Sequence, residues 1–270
     1  MSPAGCSPDF GRTASDYAVH RAGFPAELLD RLLASGFVAP GARVVDFGTG
    51  TGSLARLFAG HGCAVTGVDV AAALLEQARR LDREAGLEIS YIEAPAEATG
   101  LPSGGFDVVG AGQCWHWFDR PAAAREVARL LTEGGRAVIA HFDWLPIAGN
   151  VVAATEQLIL RYTPTWPFAD RAGLYPQWLV DLQTAGFTGI ETFSFDVAVP
   201  YSQEAWVGRV RASAPVSGTL EEDRVRAFSN ELTAMLRERF ADDPLDVPHR
   251  LWAVTATAPA AGRCSPRRAP

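Results

Sequence analysis

Hydrophobic and polar positions in the first half of the chain follow two alternating periods. Short apolar and β-branched runs predict buried strands, and the segments behind them carry apolar residues at helical spacing. The predicted strands cover residues 43–47, 64–69, 87–93, 106–111 and 136–142. The predicted helices between them cover residues 51–59, 71–84 and 120–131. Because parallel strands need crossover helices, this order predicts an α/β fold with a Rossmann-like, doubly wound sheet.

The pattern changes after about residue 145. Helices are predicted at 150–162, 174–185 and 221–240, and strands at 190–199 and 249–258. Two late strands joined by helices predict a seven-stranded sheet whose last strand is antiparallel. We expect one domain over residues 1–258, with N-terminal cap elements at about 10–36, a second cap segment at about 145–248, and a disordered tail at 259–270.

Composition and charge narrow the class of protein. The 270 residues are 48% hydrophobic and 20% charged, which is ordinary globular composition. A net charge of −7 argues against passive binding to nucleic acid or to an anionic membrane. The sequence lacks a membrane-length apolar run and a secretion signal, so we expect a cytoplasmic protein, either a monomer or a homodimer.

Metal-ligand and disulfide patterns are missing from the sequence. The four cysteines are scattered without C-x-x-C spacing, which favours neither a disulfide framework nor a zinc site. Asp, Glu and His are not grouped at ligand spacing either. We therefore expect chemistry that needs no metal.

A glycine-rich turn follows the first predicted strand. Gly48, Gly50 and Gly52 form G-x-G-x-G, and glycine is needed where the backbone takes positive φ or approaches a ligand closely. The lysine of a phosphate-binding P-loop is absent, and a dinucleotide site is a weaker match. Asp46, at the strand end, would repel a pyrophosphate and attract an ammonium group. Asp69 ends the second strand, where a carboxylate can accept both ribose hydroxyls, so the ligand should carry a ribose and a positive charge.

This turn resembles motif I of the class I S-adenosylmethionine-dependent methyltransferases. The resemblance rests on VVDFGTGTGSLARLF at 44–58 and on VTGVDV at 65–70. It implies S-adenosylmethionine as the cofactor, with the methionine end at the glycine turn and the ribose at Asp69. The cofactor-binding residues that it implies here are Asp46, Gly48, Thr49, Gly50, Gly52, Asp69 and Val70.

Two further segments resemble parts of the same family. APAE at 94–97, followed by Leu101-Pro102, resembles the A-E-x-L-P region, with an extra residue or two in the spacing. The backbone near Ala96 and the side chain of Glu97 would then contact adenine. FGRTASDYAVHR at 10–21 resembles the helix that closes over the cofactor. Tyr17 and Arg21 would face the methionine carboxylate or the methyl group there.

The segment GQCWHWFD, residues 112–119, follows the fourth strand. It resembles the H-W-F segment of type 11 small-molecule methyltransferases related to trans-aconitate methyltransferase. Ligands bind at the carboxyl ends of strands in open α/β sheets, so the transferred methyl should lie near this segment. The residues implied are Gln113 on the cofactor and Trp115, His116 and Trp117 around the substrate.

The resemblance implies methyl transfer to a small molecule rather than to a nucleic-acid base, because an Asn-Pro-Pro-Tyr type tetrad is absent. We expect an oxygen acceptor, such as a carboxylate, phenol or enol of a metabolite or natural product. A phenol or enol would need a base, for which His116 is the first candidate, before His141 and His20. Structural roles also stay open: His116 could orient a loop, and Trp117 could cover the core.

Two other functions share this fold. A nicotinamide-dependent oxidoreductase is disfavoured by the G-x-G-x-G spacing, by Asp46 and by the lack of a Tyr-x-x-x-Lys pair. A non-catalytic module that binds the cofactor and regulates a partner is the other alternative.

Overall fold

A computed structural model of the chain describes residues 22–260. Its strands form one seven-stranded sheet, in which the last strands are antiparallel, as predicted. The strands are β1 (Arg43–Phe47), β2 (Ala64–Asp69), β3 (Ser90–Glu93), β4 (Phe106–Gly112), β5 (Leu131–Trp144), β6 (Thr188–Tyr201) and β7 (Leu245–Thr257). Their order across the sheet is β3-β2-β1-β4-β5-β7-β6.

The parallel half of the sheet forms because its central strand is apolar on both faces. Val44, Val45 and Phe47 of β1 are fully buried, as expected where helices cover both sides of a parallel sheet. β1 pairs in parallel with β2 and with β4. The carboxyl ends of these three strands therefore meet at one edge of the sheet, where Asp46 and Asp69 lie.

Helices connect the strands, and several begin at a polar cap. Asp119 accepts a hydrogen bond from the backbone N–H of Ala122, and Asn150 accepts one from that of Ala153, which satisfies otherwise unpaired donors of the first turn. The helices in the described part are α1 (Ala26–Ala34), α2 (Ser53–Ala59), α3 (Ala72–Ala85), α4 (Arg120–Leu130), α5 (Val151–Tyr162), α6 (Gln177–Thr184), α7 (Gln203–Arg211) and α8 (Glu222–Arg239).

The predicted bounds of β1 and β2 are confirmed, and several other elements differ from prediction, among them β3, β5, α6 and α7. β3 begins at Ser90 rather than at residue 87, because Leu87 closes the end of α3 by donating to the carbonyl of Asp82. β5 begins at Leu131, earlier than predicted, and α7 was not predicted at all. α6 begins at Gln177 rather than at residue 174, since Pro176 disfavours helical backbone in the residue before it.

The chain divides into two compact units. Among the described residues, the larger unit contains 24–141, 175–194 and 252–260, and the smaller unit contains 22–23, 142–174 and 195–251. Each unit has a buried apolar cluster, with Trp178 and Trp252 in the larger and Trp206 and Phe228 in the smaller. The single domain with cap elements stays a prediction, and its segments before residue 22 and after residue 260 lie outside the described residues.

Candidate active site

The glycine turn of the larger unit uses positive φ at all three glycines: +54° at Gly48, +55° at Gly50 and +81° at Gly52. A Cβ at Gly48 would lie 2.7 Å from Cβ of Cys114, so packing also requires glycine there. A Cβ at Gly50 would meet no atom within 4 Å. The turn therefore packs tightly on one side and faces open space at Gly50, where a ligand can approach the backbone.

Asp46 is a buried carboxylate beneath this turn. Its side chain accepts a hydrogen bond of 2.7 Å from the hydroxyl of Thr49, which is itself buried. Burial raises the pKa of Asp46 to about 7, and the Thr49 hydrogen bond only partly opposes that rise. A nearby cationic ligand group would favour the ionised form, so this site suits the ammonium expected from the sequence.

Stability should depend on pH through Asp46. Its folded pKa lies above the unfolded value, so the folded state binds more protons between about pH 4 and pH 7, and its stability falls as the pH rises through that range. We expect the wild-type free energy of unfolding to decrease more between pH 5 and pH 8 than that of Asp46→Asn, measured by denaturant unfolding. The control is Asp107→Asn, because the Arg43 guanidinium lowers the pKa of Asp107. A pH dependence that Asp46→Asn leaves unchanged would contradict the prediction.

Asp69 is held in place by backbone donors. One carboxylate oxygen accepts from Gly50 N at 2.8 Å, and the other accepts from Ala71 N at 2.9 Å. Each oxygen keeps a further lone pair, so the carboxylate can also accept two ligand hydroxyls. Beside it, Val70 is 66% exposed and offers an apolar surface. This geometry fits the ribose contact expected of Asp69.

The loop after β3 is tied to the loop after β4. Ala96 is buried, and Glu97 accepts a hydrogen bond of 2.8 Å from the backbone N–H of Asp119. This bond places the Ala96–Glu97 pair next to Asp119, which is the last residue of the H-W-F segment and caps the start of α4. Glu97 thus has a structural role in the loop, and its contact with adenine stays a prediction.

The H-W-F segment begins with backbone strain and ends in a short turn. Gln113 has a positive φ of 64°, which is uncommon outside glycine, and its N–H donates to the carbonyl of Ala140 at 2.8 Å. The thiol of Cys114 donates to the carbonyl of Phe47 at 3.0 Å. These bonds fasten the segment to β1 and β5, and residues Trp115–Trp117 form a 3₁₀ turn.

The two tryptophans of this turn have different environments. Trp115 is fully buried, and its indole N–H donates to Asp181 at 3.0 Å. Trp117 is 39% exposed. Trp115 therefore anchors the turn in the core of the larger unit, whereas Trp117 has surface available for a ligand.

His116 lies beside His141, the residue near the end of β5 that the sequence ranked second as a base. Nδ1 of His116 and Nε2 of His141 are 3.3 Å apart, within hydrogen-bond distance. His141 is 5% exposed, and its ring contacts Tyr175, with centroids 4.3 Å apart, and Trp178, at 5.1 Å. The structure thus joins two separately predicted histidines into one pair.

Sequence reasoning missed the roles of Tyr175 and Trp178. Their rings stack with centroids 4.3 Å apart, and both pack against the His141 ring. The indole Nε1 of Trp178 is buried and has no acceptor within the described part of the chain. Nothing in the local pattern near residue 175 links it to β5. The other predicted residues, Tyr17, His20 and Arg21, lie outside the described residues.

Two kinds of feature are absent from the described residues. No helix there is long and apolar enough to cross a membrane. In residues 22–260, no group of three or more His, Cys, Asp or Glu side chains is arranged to hold a metal ion.

The sheet order defines a Rossmann-like methyltransferase fold, with a glycine turn and two carboxylates at the carboxyl ends of its parallel strands. The family described as "Methyltransferase domain" matches residues 45–139, which extend from within β1 into β5. An uncharacterized methyltransferase of Mycobacterium tuberculosis, Rv3342, is 35% identical over 191 residues, which cover 65% of this chain and 75% of that protein. The chain belongs to the S-adenosylmethionine-dependent methyltransferase family. The narrower H-W-F subgroup stays a prediction.

Other similarities cover less of the relative or show only the fold. The malonyl-[acyl-carrier protein] O-methyltransferase of Enterobacter lignolyticus is 35% identical over 127 residues, which are 47% of this chain and 49% of that protein. The chain spans about half the length of several curated relatives that it matches. The solved structure of the [4+2]-cyclase SpnF has a TM-score of 0.56 and 20% identity, with 97% of this chain and all of that chain covered. This last similarity concerns the fold alone.

Proposed function

We propose that this protein transfers a methyl group from S-adenosylmethionine to an oxygen atom of a small molecule. The observation that carries the proposal is the pair of fixed carboxylates, Asp46 and Asp69, on either side of the open turn at Gly50. The cationic methionine end of the cofactor suits Asp46, and its ribose suits Asp69. Family membership supports the same choice of cofactor.

When bound, the cofactor supplies an electrophilic methyl group on a sulfonium, which leaves as a neutral thioether. The protein's task is then to align the acceptor oxygen with the methyl carbon and to exclude water. A carboxylate acceptor arrives ionised and needs no base. A phenol or enol must lose its proton to a base as the new oxygen–carbon bond forms.

His116 is the base in this proposal, and His141 is the residue that orients it. For Nε2 of His116 to accept a proton, Nδ1 must carry the hydrogen, and Nε2 of His141 can accept a hydrogen bond from that position at 3.3 Å. The buried packing of His141 against Tyr175 and Trp178 keeps its ring in one orientation. His141 would also stabilise the imidazolium that His116 becomes.

An oxygen acceptor is also supported by the name of one relative, an O-methyltransferase that acts on a malonyl-acyl-carrier protein. Nitrogen, carbon and sulfur acceptors fit the same alignment.

The first experiment is calorimetric titration of the purified protein with S-adenosylhomocysteine, the unreactive product, beside NADH at the same concentrations. We expect micromolar binding of the product, which corresponds to about −8 kcal/mol, and no binding of NADH. Binding of NADH alone would favour the oxidoreductase alternative. Product binding without turnover in a screen of small acids, phenols and enols would favour the non-catalytic module.

A further inference from the structure

The smaller unit contains an arginine whose surroundings differ from those of several other partly buried arginines. Three partly buried arginines each have a carboxylate partner at 2.7 to 3.2 Å. The pairs are Arg56–Asp82, Arg120–Asp181 and Arg250–Asp196. Arg209, on α7, has no Asp or Glu oxygen within 4.0 Å in residues 22–260, although it is only partly exposed.

Arg209 lies on an aromatic surface. Its guanidinium carbon is 4.8 Å from the centre of the Trp144 ring, a cation–π distance. On the same helix, Trp206 is fully buried, and it contacts the Trp144 ring edge-on with centroids 5.3 Å apart. The guanidinium therefore lies over the Trp144 indole, which also packs against the buried ring of Trp206.

Buried hydrogen bonds fix the indole. The Trp144 N–H donates to one oxygen of Glu156 at 2.8 Å, and the other oxygen of Glu156 accepts from the backbone N–H of Asp170 at 2.7 Å. Glu156 is only 4% exposed. Glu156 therefore holds the Trp144 indole in place, and in residues 22–260 it forms no ion pair with Arg209.

The charge of Arg209 is incompletely balanced by its surroundings. Burial lowers the pKa of Arg209. The neighbouring Tyr201, which also hydrogen-bonds the Arg209 side chain, and Asp143 act in the opposite direction without reversing that effect. A desolvated guanidinium gains most from a planar or tetrahedral anion that accepts two of its N–H groups. Asp143 would weaken such an anion by repulsion.

We propose that Arg209 and the Trp144 indole form a binding site for the carboxylate or phosphate group of a small-molecule ligand. The site lies within the smaller unit and does not depend on the proposed methyl transfer. It can therefore be tested without cofactor or turnover, and its failure would leave the proposed function untouched.

The test measures stabilisation of the folded protein by acetate and by inorganic phosphate, against chloride at the same ionic strength. An anion that binds only the folded state raises the melting temperature, and the rise grows with the logarithm of the anion concentration relative to its Kd. Acetate or phosphate should stabilise the wild type, and Arg209→Met, which keeps an apolar stem over Trp144, should weaken that anion's affinity about tenfold or more. The matched control is Arg161→Met, since Arg161 is exposed and paired with Glu231.

Two more variants keep the test decisive if Arg209→Met folds poorly. Arg209→Lys keeps the charge without the two-pronged geometry, so it should retain part of the affinity. Asp143→Asn should increase the affinity, because it removes a repelling charge. A response to acetate alone identifies a carboxylate ligand, and a response to phosphate alone identifies a phosphate ligand. The proposal is overturned if neither anion stabilises the wild type beyond chloride at up to about 100 mM, or if the Arg209 variants respond as the wild type does.

Discussion

Replacement of His116 by asparagine is expected to lower kcat about a hundredfold or more on a phenol or enol acceptor, because general-base catalysis contributes a factor of that order. An asparagine amide can still hydrogen-bond His141, so the loop geometry should survive. The affinity for S-adenosylhomocysteine should stay unchanged, since the expected cofactor contacts lie at the glycine turn. Steady-state kinetics and calorimetry on the same preparation measure both quantities.

Two comparisons separate a base from a loop-orienting histidine. His61→Asn is the matched control, because His61 is exposed and bonded only locally to the carbonyl of Leu57. His141→Asn should reduce kcat less than His116→Asn does, and it should alter the dependence of kcat on pH, because it changes the side chain that hydrogen-bonds the His116 ring and orients it. If His116→Asn keeps wild-type kcat at all pH values, the transfer needs no base and His116 only orients the loop.

Replacement of Asp69 by alanine is expected to weaken cofactor binding by more than about 1.5 kcal/mol, which is more than a tenfold rise in Kd, because charged hydrogen bonds to the ribose are lost. The same change also frees the backbone N–H groups of Gly50 and Ala71. Asp69→Asn separates these effects, since its amide oxygen can still accept one backbone bond. We expect its affinity to fall between those of the wild type and the alanine variant.

The measurement is calorimetric titration with S-adenosylhomocysteine. Asp107→Ala serves as the control, because Asp107 is an exposed carboxylate of the same sheet that pairs with Arg43. An Asp69→Ala variant with wild-type affinity would mean that the ribose is bound elsewhere.

The strands that lie close together in sequence were well predicted, because their signals are local. β1 and β2 begin and end at the predicted residues, since each is a short apolar run bounded by glycine or charged positions. β5 was harder to predict. Leu131 pairs with Phe106 and Arg136 pairs with Val108, so residues 132–135 bulge out between two paired positions. Gly134 and Gly135 were interpreted as a helix end, but they lie within this irregular part of the strand.

The sequence pattern failed to predict α7 for a different reason. The helix follows Pro200, contains Gly208, and carries polar residues on much of its surface, all of which weaken a helical pattern. Ser202 caps the start of this helix, because its side chain accepts a hydrogen bond from the backbone N–H of Ala205. The helix buries Trp206 and Val210 in the smaller unit. Its stability comes from that packing, which the local sequence does not express.

By itself, the sequence determined the family of this protein, and it predicted the edge of the sheet at which the cofactor binds. Asp46 and Asp69 lie on two neighbouring parallel strands, and Gly48 lies in the turn that follows the first of them, so the local pattern brings them together. Only the tertiary structure decided that His116 meets His141 and that Arg209 lies over Trp144. The physical reason is that these contacts join separate elements, whose relative positions depend on strand register and helix packing rather than on the spacing of residues along the chain.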